Sequence, residues 1–395
     1  MTAAPIDPPD AAAVRNRNLG AVLGLVAEHG PRSRAAIADE TGLHRTSVAR
    51  LVAELIDLGL LRERGVEHRG ELGRPAALVE VARAGAVGLG LQVGTDSLGV
   101  HATDLGGGSR YKATAGGPNR VRRPDVVLEQ LAEMVADALV EVERQGLSMV
   151  GATVALPGLV DSERGVLLMA PGLGWHDVPV VERLTELVGV PGLEIQAENE
   201  GPLAALGELY DRRGAGFDDF VCVSSSVGVA AGVVAGGRLV GGARGIGGAF
   251  GHMTVEPDGR RCRCGSRGCL ETRVGPDALL AAAGLGDGTM KDLLAQARSE
   301  HPAVLAALAD AGRWLGVGLA TLVNLLAPPS VVLCGHFAAL APWLTEAIEA
   351  ELRLRVLGAR ERLPAIVASQ LGNEAAIRGA AAAPIRRVLA APRAP

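Results

Sequence analysis

Aromatic side chains are scarce in this chain of 395 residues, because phenylalanine, tyrosine and tryptophan together make up only 2% of it. The hydrophobic fraction is nevertheless 48%, which is typical of a globular protein. The cores must therefore be built from alanine, valine, leucine and isoleucine. The length is sufficient for two or three domains with sizeable cores.

An excess of positive charge and long apolar runs are also lacking. The net charge is −5, which excludes a generally basic protein that coats nucleic acid and leaves only local contacts with it. No apolar run reaches the roughly 18 residues that span a bilayer. The N-terminus lacks the order of charge, apolar run and cleavage site that marks a signal peptide. We therefore expect a cytoplasmic protein with no membrane partner.

Cysteine is rare as well, with five residues in total, but three of them fall within eight positions. Cys262, Cys264 and Cys269 lie in the stretch GHMTVEPDGRRCRCGSRGCLE, and His252 precedes the first of them by ten positions. Three cysteines and one histidine are a common structural set for Zn2+. The alternatives are ordinary buried cysteines, or one disulfide with a spare thiol. A stretch so rich in glycine and arginine has no apolar periodicity, which favours zinc bound by His252, Cys262, Cys264 and Cys269.

The first 82 residues predict a disordered start and a small DNA-binding domain. Residues 1–13 are rich in proline, alanine and aspartate and are expected to be disordered. In residues 14–82, the spacing of apolar residues indicates the helices and strands, and glycines indicate where helices end. The predicted elements are helices from about Val14 to Gly30, Arg34 to Thr41 and about His44 to Leu58, and strands from Leu60 to Glu63 and Ala77 to Val81. Residues 14–82 therefore predict a winged helix-turn-helix.

Polar and basic side chains concentrate on the third predicted helix and on the wing, whose tip runs from Gly65 to Gly73. Such side chains suit base edges and phosphates, and an arginine on a wing can enter a minor groove. The residues predicted to contact double-stranded DNA are Arg34, His44, Arg45, Thr46, Ser47, Arg50 and Arg74. The alternative is a small helical adaptor without a DNA role, because acidic residues nearly balance the arginines of this region.

The composition changes at Ala86, where a larger α/β body begins. Two strand-rich starts, near Gly88 and at Phe220, are each followed by helices. This repetition predicts a duplicated unit with a ligand cleft between two lobes. The predicted helices are about Pro124 to Gln145, Ala303 to Leu326, Trp343 to Leu357 and Glu374 to Leu389. Buried strands are predicted from Met149 to Ala155 and from Ser330 to Leu333.

Several motifs of the body resemble the ROK family, which comprises repressors, open reading frames and sugar kinases. They are LPGLVD from Leu156, PGLGWHDVP from Pro171, ENEGPLAALGE from Glu198, the cysteine stretch, and LGNEAAIRGAA from Leu371. The resemblance implies a two-lobed, actin-like and hexokinase-like α/β fold of the ribonuclease H type over residues 86–395, with the zinc site at 252–269. The N-terminal domain resembles that of xylose-repressor-type regulators, which the ROK kinases lack.

The kinase motifs of the family are degenerate in this chain. ROK kinases resemble one another in an Asp-x-Gly-Gly-Thr turn, and here Gln92 replaces its aspartate while Thr95 and Asp96 replace the last two residues. The second phosphate turn reads SVGVAAG from Ser226 and lacks a hydroxyl and a glycine. Glu200 stands in place of the catalytic aspartate, which displaces the carboxylate by about one methylene. The resemblance therefore implies no catalytic residues and no enzyme activity.

The sugar pocket implied by the resemblance is only partly retained. Its ligand-binding residues are Asn199, Glu200, His252 and Glu271, whereas Gly172 and Ala249 replace two polar residues. Two lost hydrogen bonds weaken hexose binding by about one to two orders of magnitude. The effector is then a different sugar or sugar derivative, a bulkier apolar molecule, or absent.

Together these features predict a ligand-responsive transcription factor, a repressor that binds operator DNA as a homodimer or homotetramer. One recognition helix reads too few bases for useful specificity, and a two-fold protein matches palindromic sites. Two alternatives remain open: an active carbohydrate kinase with an attached DNA-binding domain, and a DNA-binding regulator with no ligand.

Overall fold

The computed structural model describes residues 11–67, 76–82, 85–213, 215–242 and 247–392. The N-terminal part, which we call the headpiece, comprises residues 11–81 within these ranges. Its elements are α1 (Ala11–His29), β1 (Arg32–Ser33), α2 (Arg34–Thr41), α3 (Arg45–Asp57), β2 (Leu61–Glu67) and β3 (Ala76–Val81). The three strands form one sheet in the order β1-β3-β2.

Local sequence explains the helix-turn-helix of the headpiece. The Ser33 hydroxyl accepts a hydrogen bond from the Ala36 amide and caps α2, while Gly42 ends that helix in the left-handed conformation at φ 70°. Four apolar residues of α3 recur at helical spacing and are buried. They are Val48, Leu51, Val52 and Leu55.

One prediction for the headpiece is wrong at its edge. Residues 11–13 belong to α1 rather than to a disordered start, because the alanine run favours helix strongly. Residues 1–10 and 68–75 lie outside the described residues, and the second range includes most of the predicted wing tip and Arg74.

The first lobe of the body contains a mixed five-stranded sheet in the order β11-β7-β4-β5-β6. Strands β4, β5 and β6 form an antiparallel meander, and β7 and β11 run parallel to β4. A small antiparallel sheet, β8 to β10, follows β7. The elements are β4 (Ala86–Val93), β5 (Ser97–Asp104), β6 (Ser109–Gly116), α4 (Pro124–Arg144), β7 (Ser148–Leu156), β8 (Leu159–Asp161), β9 (Val166–Ala170), β10 (Trp175–Val178), α5 (Val180–Val188) and β11 (Ile195–Asn199).

The second lobe repeats the arrangement, with a sheet in the order β14-β13-β12-β15-β16. Here β15 and β16 run parallel to β12, whereas β13 is antiparallel to β12 and β14 is antiparallel to β13. The elements are α6 (Glu200–Asp211), β12 (Phe220–Ser225), β13 (Val229–Ala235), β14 (Arg238–Val240), α7 (Glu271–Val274), α8 (Pro276–Ala282), α9 (Met290–Arg298), α10 (Pro302–Leu326), β15 (Ser330–Gly335), α11 (His336–Arg355), β16 (Ala365–Ala368) and α12 (Ala375–Ala390). The duplicated α/β unit is therefore present in the structure.

The two lobes are joined by α6 and α12, which pack against each other between the sheets. Helix α12 lies on β4, β5 and β7 of the first lobe, while α6 lies on β12 and β13 of the second lobe. Helix α10 is long and apolar enough to cross a membrane, but 56% of its most apolar window is buried inside the body. This helix forms part of the core of the second lobe.

Candidate functional site

The predicted metal ligands come together at one point of the second lobe. The Cys262 thiol lies 3.7 Å from His252 Nδ1, and the thiols of Cys264 and Cys269 lie 3.7 Å apart. All four ligand atoms lie within 4.8 Å of one another. Ligand bonds of about 2.0–2.3 Å to tetrahedral zinc place the ligand atoms about 3.5–4 Å apart, so the cluster has the size and the donor set that Zn2+ requires.

The backbone of the cysteine loop explains how the ligands meet. The Cys262 amide donates to the Ser266 carbonyl, and the Gly265 amide donates back to the Cys262 carbonyl. Gly268 has φ 68°, and a Cβ at this position would overlap the Glu256 carbonyl. A glycine is therefore required where the loop returns to Cys269. All five cysteines are free thiols, so the structure contains no disulfide among the cysteines.

A cavity of about 340 Å3 lies beside this cluster and is lined by residues of both lobes. Its wall includes all four residues that the sequence predicts to bind a ligand: Asn199, Glu200, His252 and Glu271. Because Cys262 also lines it, the cysteine cluster forms one side of the cavity. His252 turns Nδ1 toward Cys262, which leaves Nε2 for another partner.

Asn199 serves the fold as well as the cavity. Its side-chain oxygen accepts a hydrogen bond of 2.8 Å from the Gly201 amide and caps α6. Its amide nitrogen donates to the Gly158 carbonyl at 2.6 Å. Only one N–H and one lone pair remain for a ligand, so Asn199 positions the start of α6 more than it offers hydrogen bonds.

Two carboxyl groups, those of Glu200 and Glu271, supply the acidic part of the wall. Glu200 is 3% exposed and accepts a hydrogen bond of 2.9 Å from the Ser226 hydroxyl. Burial raises the pKa of Glu200 to about 7, with a further contribution from the charge of Glu271. Glu271 accepts a hydrogen bond of 3.0 Å from the Val229 amide. A Cβ on Gly228 would lie 2.5 Å from this carboxylate, which therefore covers the turn between β12 and β13.

The raised pKa of Glu200 gives a stability prediction. Between about pH 4.5 and 7 the folded chain holds a proton that the unfolded chain releases, so the contribution of Glu200 to stability falls as pH rises through this range. The substitution Glu200→Gln removes this dependence. We expect its free energy of unfolding, relative to wild type, to rise by on the order of 3 kcal/mol from pH 5 to pH 8 in urea titrations. A difference that stays constant with pH would contradict the assignment.

The two positions that lack the family's polar residues have become apolar. A Cβ on Gly172 would lie 2.5 Å from Val227 Cγ1, so the valine fills the space that a side chain at position 172 would occupy. Both residues line the cavity, as does Ala249. Val227 was missed by sequence reasoning because only the folded chain shows that it lies opposite Gly172.

The first phosphate turn of the family is closed by other contacts in this chain. The Asn119 amide nitrogen donates to the carbonyls of Gly94 and Ser97, and the buried Thr95 hydroxyl donates to Asp96 at 3.0 Å. Asp96 is exposed, and neither it nor Gln92 lines the cavity. The other phosphate turn is covered by the Glu271 carboxylate. Negative side chains thus lie at both turns.

The headpiece presents an exposed polar face at the start of α3. His44, Arg45, Thr46, Ser47 and Arg50 are all exposed, whereas Val48 between them is fully buried. His44 Nδ1 lies 3.0 Å from the Thr46 hydroxyl, which orders the first turn of the helix.

Arg34 differs from these residues, because its guanidinium lies 2.8 Å from the Glu63 carboxylate on the wing strand. It ties α2 to β2. This ion pair supports the wing, and the predicted contact of Arg34 with DNA stays a prediction.

Comparison with known proteins agrees with a helix-turn-helix headpiece joined to a two-lobed body. Residues 89–386 match the ROK family model, which is three quarters of the chain. The chain belongs to the ROK family. Residues 18–65 match the IclR helix-turn-helix domain and cover most of α1 through β2.

Some relatives within the ROK family are transcriptional regulators that match this chain over nearly its whole length. The chain is 26% identical to the xylose repressor of Bacillus subtilis strain 168 over 95% of this chain and 96% of that protein. It is 30% identical to the DNA-binding transcriptional dual regulator NagC of Escherichia coli K12, over 92% of this chain and 91% of that protein. The structure also superposes on a crystal structure of a ROK family transcriptional regulator, a homologue of the E. coli MLC protein. The TM-score is 0.79 at 26% sequence identity, and the match covers 96% of this chain and 97% of that one. The likeness therefore includes the headpiece as well as the body.

Proposed function

We propose that this ROK protein is a transcriptional repressor that binds operator DNA and responds to a sugar or a sugar-derived ligand. Residues 14–82 form its DNA-binding domain and residues 86–395 its effector-binding and dimerisation domain. The observation that carries the proposal is the exposed face of α3, with Arg45 and Arg50, on a helix-turn-helix fused to a body with a ligand cavity. The names of relatives that match this chain over more than nine tenths of their length support it. They include a xylose repressor and an N-acetylglucosamine repressor of Escherichia coli.

The cavity suits a ligand that combines hydroxyl groups with an apolar group. Glu200 and Glu271 accept hydrogen bonds from hydroxyls, and His252 Nε2 provides a further polar contact. Val227 and Gly172 also line the cavity and favour an apolar substituent. A sugar that carries a deoxy or acylated position matches this wall better than an unmodified hexose.

Phosphoryl transfer is not the proposed activity. A buried carboxyl group with a pKa of about 7 can act as a general base, so Glu200 alone does not exclude it. The turns that bind the phosphates of ATP decide against kinase activity, because phosphoryl transfer requires a turn that binds phosphate and Mg2+. Asp96 at the first turn places negative charge where phosphate would bind, and the second turn lacks the hydroxyl and the glycine of the family's kinases. We therefore propose a body without kinase activity.

Zinc is the cofactor that the cluster of His252, Cys262, Cys264 and Cys269 fits. The ion would hold the cysteine loop against the cavity and fix the ring of His252, in a purely structural role. We further propose a cytoplasmic homodimer or homotetramer, because two recognition helices are needed to read a palindromic operator.

The proposal is tested by selection from fragmented genomic DNA of the source organism. The full-length protein should retain a small set of fragments in the presence of excess competitor DNA, with a steep dependence on salt. Retention of random fragments only would contradict it. In parallel, ATP turnover is measured with a sugar panel that includes D-xylose, D-glucose and N-acetyl-D-glucosamine. Sustained ADP production that Glu200→Ala abolishes would establish the kinase alternative.

A further inference from the structure

Helix α12 contacts both the first lobe and the headpiece, and it packs against α6 of the second lobe. On one side it approaches β4 so closely that a Cβ on Gly88 or Gly90 would overlap the backbone carbonyls of Ala381 or Ile377. On another side it packs against α6, and its last turn packs against α1 of the headpiece. One buried apolar cluster runs without interruption from Leu19 and Leu23 of α1 to Ile385 and Val388 of α12.

The contact between α12 and α6 is very close. A Cβ on Gly379 of α12 would overlap the Leu203 carbonyl, and one on Gly207 of α6 would overlap the Ala375 carbonyl. Backbone thus lies directly against backbone at two levels of the helix pair. Because interiors packed this closely transmit strain, we expect a displacement of α6 to move α12 as well.

The first turn of α6 belongs to the ligand cavity. Glu200 is its first residue, and Asn199 caps it through the Gly201 amide. A Cβ on Gly201 would lie 2.8 Å from the Ala231 backbone of β13. A ligand bound at Glu200 or Asn199 therefore acts on the end of a helix that is wedged between the second lobe and α12.

The contact between α12 and the headpiece is equally close. A Cβ on Gly20 of α1 would lie 2.7 Å from the Ala390 carbonyl and 3.0 Å from the Leu389 carbonyl. Gly24, one turn further along α1, has nothing within 4 Å of the corresponding position. Of these two glycines, only Gly20 lies against the final turn of α12.

We propose that α12 transmits the state of the ligand cavity to the headpiece, as the rigid middle member of the series α6–α12–α1. The proposal deepens the proposed function, because it names the route by which a ligand at α6 changes the placement of α3. A ligand that favours one arrangement of the lobes shifts α6 and α12 together, and Gly20 moves with the last turn of α12. Energetic coupling is reciprocal, so a change at the Gly20 contact must also reach the cavity end of α6.

The test compares Gly20→Ala with Gly24→Ala in the full-length protein by hydrogen exchange, without DNA or ligand. Gly20→Ala forces α1 away from Ala390, and we expect exchange of the Gly201 amide, at the far end of α6, to accelerate by about fivefold or more. Gly24→Ala, the matched control, should leave Gly201 unchanged, because the added methyl meets nothing. Leu389→Ala, which removes contact without a clash, serves as a second variant and should act in the same direction.

Two outcomes overturn the proposal. One is faster exchange in α1 with Gly201 unchanged in both Gly20→Ala and Leu389→Ala. The other is equal acceleration of Gly201 in Gly24→Ala. The readout needs neither operator nor sugar, so it separates a failure of this coupling from a failure of the proposed function, which is judged by DNA retention alone.

Discussion

Replacing Cys269 by serine is expected to reduce bound zinc from about one ion per chain to nearly none and to destabilise the second lobe. Cys269 is fully buried, and its thiol lies against that of Cys264. A structural zinc site contributes about 10 kcal/mol or more of binding free energy in small zinc domains. Part of this energy is lost as folding free energy, and we expect at least about 3 kcal/mol, a fall in Tm of roughly 5–10 °C.

The measurement is elemental analysis of the purified protein together with thermal unfolding. Cys222→Ala is the matched control, because Cys222 is also fully buried but lies next to Cys334 and away from the cluster. It should lose some stability and keep its zinc. A wild-type protein that folds fully without metal, or a serine variant with full zinc content, would contradict the assignment.

The double substitution Arg45→Ala with Arg50→Ala is expected to weaken binding of the selected DNA fragment by about 100-fold or more. Each arginine on a recognition helix contributes about 1–3 kcal/mol when it contacts a base, and a phosphate contact contributes to the salt dependence. Both side chains are exposed on α3, beside Thr46 and Ser47. The measurement is a titration of labelled fragment at several salt concentrations, and the slope of log K against log salt should become shallower.

Arg353→Ala provides the charge control for this experiment. Arg353 is exposed on α11 of the body and pairs with Glu349 at 2.6 Å. Its removal changes the net charge by one unit, half of the change in the double variant, without touching the headpiece, so DNA affinity should stay within about twofold of wild type. Equal losses in the Arg353 variant and the α3 variant would place DNA binding elsewhere on the protein.

The sequence predicted the helix-turn-helix well because its signals are local. A serine cap, a left-handed glycine and apolar residues at helical spacing define α2 and α3 within one or two residues. The start of α11 was predicted at Trp343, whereas the helix begins at His336 and contains Pro342. A proline usually favours the first turn of a helix. Burial of Phe337 and Leu340 outweighs the hydrogen bond that Pro342 cannot make.

The candidate site could be predicted as a set of residues but not as a shape. The resemblance named Asn199, Glu200, His252 and Glu271, and the fold places all four around one cavity. The contact between Gly172 and Val227 joins positions 55 residues apart, and no local pattern signals it. The ion pair of Arg34 with Glu63 is likewise a tertiary contact between α2 and β2, and no local pattern signals it.

The central claim is that a kinase-like body acts as a ligand-controlled switch for a DNA-binding headpiece. The most direct measurement is fluorescence anisotropy of the selected DNA fragment with the wild-type protein, with and without each sugar of the panel. The account predicts that a sugar which raises the Tm of the protein also changes the Kd for DNA by about tenfold. A Kd that no stabilising sugar changes, or a fragment that the protein does not bind at all, would contradict it.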